Sequence, residues 1–482
     1  MRLEFTPLPR PALAASARLA TCAALTLALT GCARFRDKPL TLEATAQSLQ
    51  TRTLADPALK TFLATNLAAP LPSWPLAKWN FDQLTLAALF FHPSLDAARV
   101  QWAVARAGIQ VAGGRPNPSI GVSPEYSFNP DPGSSPWVAA IEFEVPIETA
   151  GKRGHRMTHA RHLSNAARLG IFTAAWQIRA NLRAALLEHT ANQSLAVALG
   201  QQVTVQENVV KALERRANGG AISVYDLSTA IVELETIRLK AGDATRATSE
   251  TLAKIAAAIG VPVSAIRADL LSLDWPAAND LAVTPEEMRR EALMGRADVR
   301  AALAEYAASQ AAVQLEIARQ YPDVNLGSGY QFDQGQNKWL FGIGLELPVF
   351  NQNKGPIAEA EAKRAAAAAK VEAVQAAILG ELDVALAAYA NARAHRAELE
   401  RLLAAQRAQK ERVEAQIRAG ADDTIALLQA QYELAASEVL RSEADVKIQQ
   451  ALGTLESVVQ RPFPGLTTVG QGRMGPLPIE SK

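Results

Sequence analysis

From Asn117 to Ile147, apolar and polar positions alternate with a period of two. Ile120, Val122, Pro124, Tyr126 and Phe128 fall on one side, with Ser119, Gly121, Ser123, Glu125 and Ser127 between them. The cluster Asn129-Pro130-Asp131-Pro132-Gly133-Ser134-Ser135-Pro136 interrupts this run. The alternation then resumes, with Trp137, Ala139, Ile141, Phe143 and Val145 against Val138, Ala140, Glu142 and Glu144. Successive side chains of a strand point to opposite faces, so the figure predicts a β-hairpin with one apolar face. The figure returns later: Val324, Leu326, Tyr330 and Phe332 alternate with Asp323, Asn325, Gly327, Gly329 and Gln331. Trp339, Phe341, Ile343, Leu345 and Leu347 then alternate with Leu340, Gly342, Gly344 and Glu346. Each strand runs roughly 11 residues, the length that crosses a bilayer as a tilted strand. Aromatic residues gather where strands meet turns (Tyr126, Phe128, Trp137; Tyr330, Phe332, Trp339, Phe341), as in an interfacial girdle.

Four such strands cannot close a barrel, since membrane barrels begin at about eight. An open edge in lipid leaves backbone groups unpaired at several kcal/mol each. The sheet therefore requires completion by further copies of the chain. The plainer alternative is a pair of hairpins in a soluble sandwich.

Elsewhere the apolar period lengthens to three or four. Phe81 to Gly113 predicts a helix, stopped by Gly113-Gly114 with Pro116 and Pro118. Lys152 to about Ala217 contains no Pro and only three internal glycines, Gly154, Gly170 and Gly200. Asn218-Gly219-Gly220 ends it, and helix resumes through Ile259 before Gly260-Val261-Pro262. About 65 helical residues at 1.5 Å each give a rod of roughly 100 Å. With its turn and returning partner it forms an αα-hairpin. Leu182, Leu186, Leu195 and Leu199 mark its seam, and the alanines allow close approach of helices.

The second half repeats this plan. Ala88-Leu89 returns as Ala292-Leu293, Ala97-Ala98 as Ala301-Ala302, Trp102 as Tyr306, Gln110 as Gln314, Arg115 as Arg319 and Pro118 as Pro322, all 204 positions later. Glu144-x-Pro146 returns as Glu346-x-Pro348, and Gly220 before a helix as Gly420. A unit of about 200 residues, made of helix, hairpin, long helix, turn and helix, is therefore duplicated in tandem.

The first residues change the compartment. Arg2, Arg10 and Arg18 precede the apolar run Leu19 to Leu29, which ends in Leu29-Thr30-Gly31-Cys32. A charged start, a run too short to span and a small-residue cleavage site describe a signal peptide over 1–31. The expected mature order is a lipidated N-terminal arm over 32–80, extended and lying on the body, and a first repeat over 81–260. A Pro-punctuated equatorial segment (261–286), a second repeat (287–460) and a disordered Gly/Pro-rich tail (461–482) follow.

Of the two cysteines, Cys22 lies in the leader, so the mature chain holds only Cys32 and neither a disulfide nor a Cys-based metal site. Forty-nine basic against 48 acidic residues give a net charge of +1, which excludes a bulk electrostatic pull on nucleic acid. No run of 18 apolar residues suits a transmembrane helix.

Leu29-Thr30-Gly31-Cys32 looks like a bacterial lipobox, in which the cysteine becomes the lipidated first residue; Ala33 rather than Asp after it favours the outer membrane. Together with the duplication and the two hairpins, the segments Pro146-Ile147-Glu148-Thr149-Ala150-Gly151-Lys152-Arg153 and Pro348-Val349-Phe350-Asn351-Gln352-Asn353-Lys354-Gly355 carry a wider likeness. The mature chain resembles the TolC-like outer-membrane efflux proteins, and within them the CzcC/CusC type associated with heavy-metal cation efflux. The resemblance implies an α+β membrane protein: a trimeric 12-stranded β-barrel, four strands per chain, continued by a long periplasmic α-helical barrel. It implies a passive exit duct that docks a periplasmic adaptor (membrane fusion protein) and an inner-membrane pump, with no cofactor beyond the lipid on Cys32. The alternatives are a multidrug or type I secretion outlet of the same fold, and a structural outer-membrane lipoprotein with no pore.

In that family acidic residues ring the narrow end just past the αα-turns. Asp226 holds such a place after the first turn. After the second turn Ala426 and Gln429 stand where the family often has Asp, which leaves Asp422 and Asp423 as the charge candidates. All three aspartates also suit helix capping. Glu142, Glu144 and Glu346 are candidates for lumen charge. His155, His159 and His162 share one helical face, but no Cys or carboxylate joins them in register, and they follow basic residues; they read as solvated surface rather than a metal site. Gly151-Lys152 lacks the earlier glycine of a phosphate loop, since Pro146 stands there. No plausible catalytic set is found, so the chain is not expected to be an enzyme.

Overall fold

The computed structural model describes residues 34–67, 70–130, 132–273, 275, 283–333, 335–420 and 424–463. The expected signal peptide, Cys32, Asp422, Asp423 and tail residues 464–482 lie outside the described residues. The chain divides into two units, Met1–Thr51 and Arg52–Lys482. The first contains α1 (Leu42–Gln50), where the Thr41 hydroxyl accepts from the Ala44 N–H.

The second unit opens with α2 (Pro57–Asn66), started by Pro57, whose missing N–H costs nothing in a first turn. The arm is thus helical in two places rather than extended, and Leu54, Leu59, Leu63, Leu76 and Trp79 are buried. The helix expected over 81–113 is two helices, α3 (Phe81–Phe91) and α4 (Pro93–Gly113). Pro93 disfavours helical geometry in the residue before it, so His92 turns extended (φ −71°, ψ 122°), and its Nδ1 accepts from the Ser94 N–H. β1 (Ser119–Tyr126) and β2 (Trp137–Ile147) precede α5 (Lys152–Asn218, 67 residues) and α6 (Val224–Ile259, 36 residues).

The repeat follows: α7 (Pro285–Gly295), α8 (Ala297–Ala318), β3 (Val324–Asp333), β4 (Gln336–Leu345), α9 (Lys354–Arg418, 65 residues) and α10 (Thr424–Val459, 36 residues). Between the repeats, two short 3₁₀ turns lead to a strap, where the Trp79 N–H donates to the Leu270 carbonyl (2.7 Å) and the Ser272 N–H to the Trp79 carbonyl (3.0 Å).

Each repeat has its own core, built from equivalent positions. Leu84, Ala88, Leu95, Ile255 and Ile259 in the first correspond to Met288, Ala292, Val299, Leu455 and Val459 in the second. α5 is the common post: it packs on α4 and α6 of its own repeat and on α8 and α10 of the other. Gly260, which ends α6, has φ +85°, and a Cβ there would lie 3.1 Å from both His92 Cα and the Phe91 carbonyl. Only glycine tolerates both the conformation and the approach. Arg52 ties the same corner, its Nη1 donating to the carbonyls of Phe91 (2.6 Å) and Gly260 (2.9 Å).

The strands make one antiparallel sheet in the order β1-β2-β3-β4, so the two hairpins join edge to edge through β2 and β3. β2, β3 and β4 have 11, 10 and 10 residues, close to the expected length; β1 has only eight, because pairing cannot extend back through Pro118 and Pro116.

Candidate functional site

Register sorts the sheet into two unlike faces. On one, the rows Val122–Ile141–Tyr330–Trp339 and Ile120–Phe143–Ser328–Phe341 cross all four strands. This face is bare: Trp339, Phe341 and Ile343 are 73%, 83% and 72% exposed. So large an apolar patch is out of place in water. At its turn end, Tyr126 stacks edge-on with Trp137 (4.9 Å) and Tyr330 with Trp339 (5.3 Å). On the other face, Glu142 is flanked by Gly121 and Gly329, and Glu144 by Ser119 and Gly327. Both carboxylates are exposed, and the surrounding glycines leave a recess of about 420 Å³ beside them. Among the described residues, β1 and β4 have no partner on their outer sides.

β4 ends at Leu345, so Glu346 sits one residue past the ladder, lining the joint between sheet and helices with Lys152 and Asp323. Lys152, half of the rejected phosphate loop, is buried there: Nζ donates to the Tyr321 carbonyl and to Asp323 Oδ1, both at 2.7 Å. The Thr149 N–H donates to the same carboxylate (2.9 Å). His155, His159 and His162 are half-buried rather than solvated, because this end of α5 packs against α4 and α8. Burial, then the neighbouring His162, lowers the pKa of His159. No group of three His, Cys, Asp or Glu among the described residues could hold a metal ion.

At the far end of the rods, Gly220 (φ +72°) turns the chain, and the Ser223 hydroxyl caps α6 by accepting from the Tyr225 N–H. Asp226 is exposed in the first turn of α6, where the N-terminal dipole favours an acid. The second turn has Gly420 at φ +74°. One link between the repeats near this end escaped the sequence reading: the Tyr432 hydroxyl on α10 donates to Glu233 on α6. Burial and this carboxylate push the phenol pKa up to about 12. Partners 199 residues apart leave no local pattern to find.

A second missed cluster lies between α5 and α10. Glu456 Oε2 accepts from Arg179 Nη1 (3.1 Å) and Arg183 Nη1 (2.9 Å), and Oε1 from the Phe463 N–H (3.0 Å). The guanidinium of Arg179 lies 4.9 Å from the centre of the Phe81 ring, and that of Arg183 5.2 Å from that of Trp275. Gly453 makes the room, since a Cβ there would sit 2.7 Å from Arg183 Nε.

A profile of outer membrane efflux proteins matches the chain twice, over residues 86–261 and 288–459, which are the two repeats. The chain belongs to the outer membrane efflux protein family. The cobalt-zinc-cadmium resistance protein CzcC of Cupriavidus metallidurans is 28% identical over 272 residues, which are 54% of this chain and 61% of that protein. The chain spans only 60–61% of the length of the curated relatives it matches. Among solved structures, the outer-membrane channel OprN superposes with a TM-score of 0.66 at 19% identity, covering 89% of this chain and 98% of that one. CusC, described by its conformational changes on folding and transmembrane channel formation, gives 0.63 at 16% identity, covering 82% and 96%. The superpositions place this chain in the same α+β fold as these neighbours, a small sheet joined to long paired helices.

Proposed function

We propose that this efflux-family chain is the outer-membrane exit duct of a tripartite system, a passive conduit for heavy-metal cations and not an enzyme. The observation that carries the reading is the four-stranded sheet with a bare apolar face and, among the described residues, no partner on either edge. Three copies supply 12 strands, an even number that closes in lipid without an exposed edge. The long hairpins α5–α6 and α9–α10 then continue the wall as a helical barrel on the periplasmic side. Glu142 and Glu144 face the lumen, with Glu346 at its lower rim, and rings of carboxylates favour cations. Asp226, with Asp422 and Asp423, supplies charge at the closing end, which a periplasmic adaptor and an inner-membrane pump engage. Cys32 carries the lipid. The sequence likeness to CzcC supports metal cations as cargo.

The test is the purified protein itself. The outer-membrane fraction should contain heat-modifiable trimers that conduct in planar bilayers with a preference for cations. A monomer, or a trimer without conductance, would leave a rod-like lipoprotein in place of a duct.

A further inference from the structure

The duplication extends into the sheet rung by rung. Positions of β1 return in β3 after 204 residues, as Tyr126 and Phe128 return as Tyr330 and Phe332. Positions of β2 return in β4 after 202, as Trp137 and Glu144-x-Pro146 return as Trp339 and Glu346-x-Pro348. The pairing of the two hairpins obeys both offsets: Tyr126 faces Trp137 as Tyr330 faces Trp339, and Ile120 faces Phe143 as Val324 faces Leu345. The seam between the hairpins is β2 against β3. Its counterpart, β4 against β1, is not formed among the described residues. The bare end of β4 shows where that missing strand belongs. β2 stays in the ladder to Ile147, whereas β4 leaves it at Leu345, short of Val349, the counterpart of Ile147. Val145 and Ile147 have Leu326 and Val324 beside them, but Leu347 and Val349 are left 68% and 71% exposed.

We propose that β4 of each copy takes β1 of the next copy in the register of the internal seam, and that this makes Glu125 a selectivity residue of the duct. Pro146 opposite Asn325 becomes Pro348 opposite Gly121, and Glu142 opposite Gly329 becomes Gly344 opposite Glu125. On the apolar face Val349 then meets Ile120, Leu347 meets Val122 and Ile343 meets Tyr126. On the other face Glu346 enters the wall opposite Ser123. The two repeats alternate around the closed ring, so equivalent rungs stand at one level. Glu125 of every copy therefore joins Glu142 at one level, and Glu346 joins Glu144 at the next, about 7 Å along the strand. Each level holds a carboxylate from both repeats of every copy, and such rings favour cations. Within one chain Glu125 looks like a residue of the mouth, because its rung runs through Val138 to Asp333 at the turn end. Asp333 is neutralised there by Lys338 (2.6 Å), whereas Glu125 is exposed and has no ion pair among the described residues. The proposal rests on the duct reading and adds to it a register and a residue.

Two measurements on the full mature chain test it. Directly opposed residues of antiparallel strands have Cα atoms about 4.5–5.5 Å apart, within reach of a disulfide. A slip of two residues separates them by about 7–8 Å, beyond that reach. Ser123→Cys with Glu346→Cys should therefore oxidise to a covalent trimer faster than Ser123→Cys with Gly344→Cys or with Pro348→Cys, and no substitution alone should do so. In planar bilayers, Glu125→Gln should lower the preference for cations over anions by a factor close to that of Glu142→Gln, and Glu125→Asp should retain it. Conducting trimers in which a slipped pair links faster or no pair links, or in which Glu125→Gln leaves the preference unchanged, overturn the proposal. Absence of conducting trimers from the native protein instead removes the duct reading beneath it.

Discussion

Glu456 is 0% exposed and is the one carboxylate shown between Arg179 and Arg183 inside the molecule. Replacing it by Gln keeps the shape and removes the compensating charge, leaving two guanidinium groups buried against aromatic rings. Breaking such a pair costs about 3–5 kcal/mol. The thermal midpoint of Glu456→Gln should fall well below that of the native protein, measured by circular dichroism in the same detergent; an unchanged midpoint would show that water reaches the cluster. Asp226 is the contrasting residue, exposed and unneeded as a cap because Ser223 already serves. Asp226→Ala should therefore leave stability within about 0.5 kcal/mol, as surface changes do, and alter single-channel conductance or cation preference if the residue lines the closing end. Neither Arg179 nor Arg183 stood out in the sequence, since one arginine among 49 basic residues looks like solvated surface. Asp226 was singled out only through the family resemblance, which puts an acid just past the αα-turn; the residues around it read equally as a capped helix start.

At the scale of elements, the α5–α6 pair holds a buried histidine. His189 Nδ1 lies 2.9 Å from the Thr251 hydroxyl, while Nε2 has no partner among the described residues. Glu188 and Lys254, one residue along on α5 and three along on α6, pair with each other rather than with the ring. Burial lowers the His189 pKa below its ordinary 6.5. The folded protein therefore binds the proton less readily than the unfolded chain, and stability is intact above about pH 6.5 and declines as pH falls below it. Melting midpoints measured from pH 8 to pH 5 should show that decline, and His189→Gln should flatten its slope, with His92 and His159 contributing the remainder. The rods themselves were legible to within a residue or two, because Gly219-Gly220 and Gly260 punctuate an otherwise unbroken helical pattern. The break at His92 was not: the apolar run Leu89-Phe90-Phe91 continues the helical period up to Pro93 and hides the boundary. Within the strands the faces were legible, since a period of two leaves no choice of side once one face is apolar, but the alternation ran past the ladder ends and took in Phe128, Glu346 and Leu347.

For the whole molecule, the duplication converts a contact inside the chain into an expected contact between chains. Lys152 of the first repeat reaches the connection before β3 at Tyr321 and Asp323. Its counterpart is Lys354, and the counterparts of Tyr321 and Asp323 are Asn117, just before β1, and Ser119, its first residue. In a closed ring of three, Lys354 of each copy should meet the 117–119 connection of the adjoining copy. Cysteines at Asn117→Cys and Lys354→Cys together, bridged by a short bis-maleimide because a lysine side chain spans more than a disulfide can, should give a ladder ending at a covalent trimer on a denaturing gel, and neither alone should; absence of the ladder would reject this arrangement. The need for further copies was argued from unpaired edges in the sequence and their number from the family resemblance, whereas the seam between them needed the observed register.

The glycines facing Glu142 and Glu144 carry one last implication. Nothing lies within 4 Å of where a Cβ would stand on Gly342, so its neighbourhood is empty by composition rather than by tight fit. A threefold conduit would inherit that emptiness three times at one level, and its bore there would be set by bare peptide. Any larger residue at this position would enter the stream from three directions at once, obstructing passage without disturbing the fold that surrounds it.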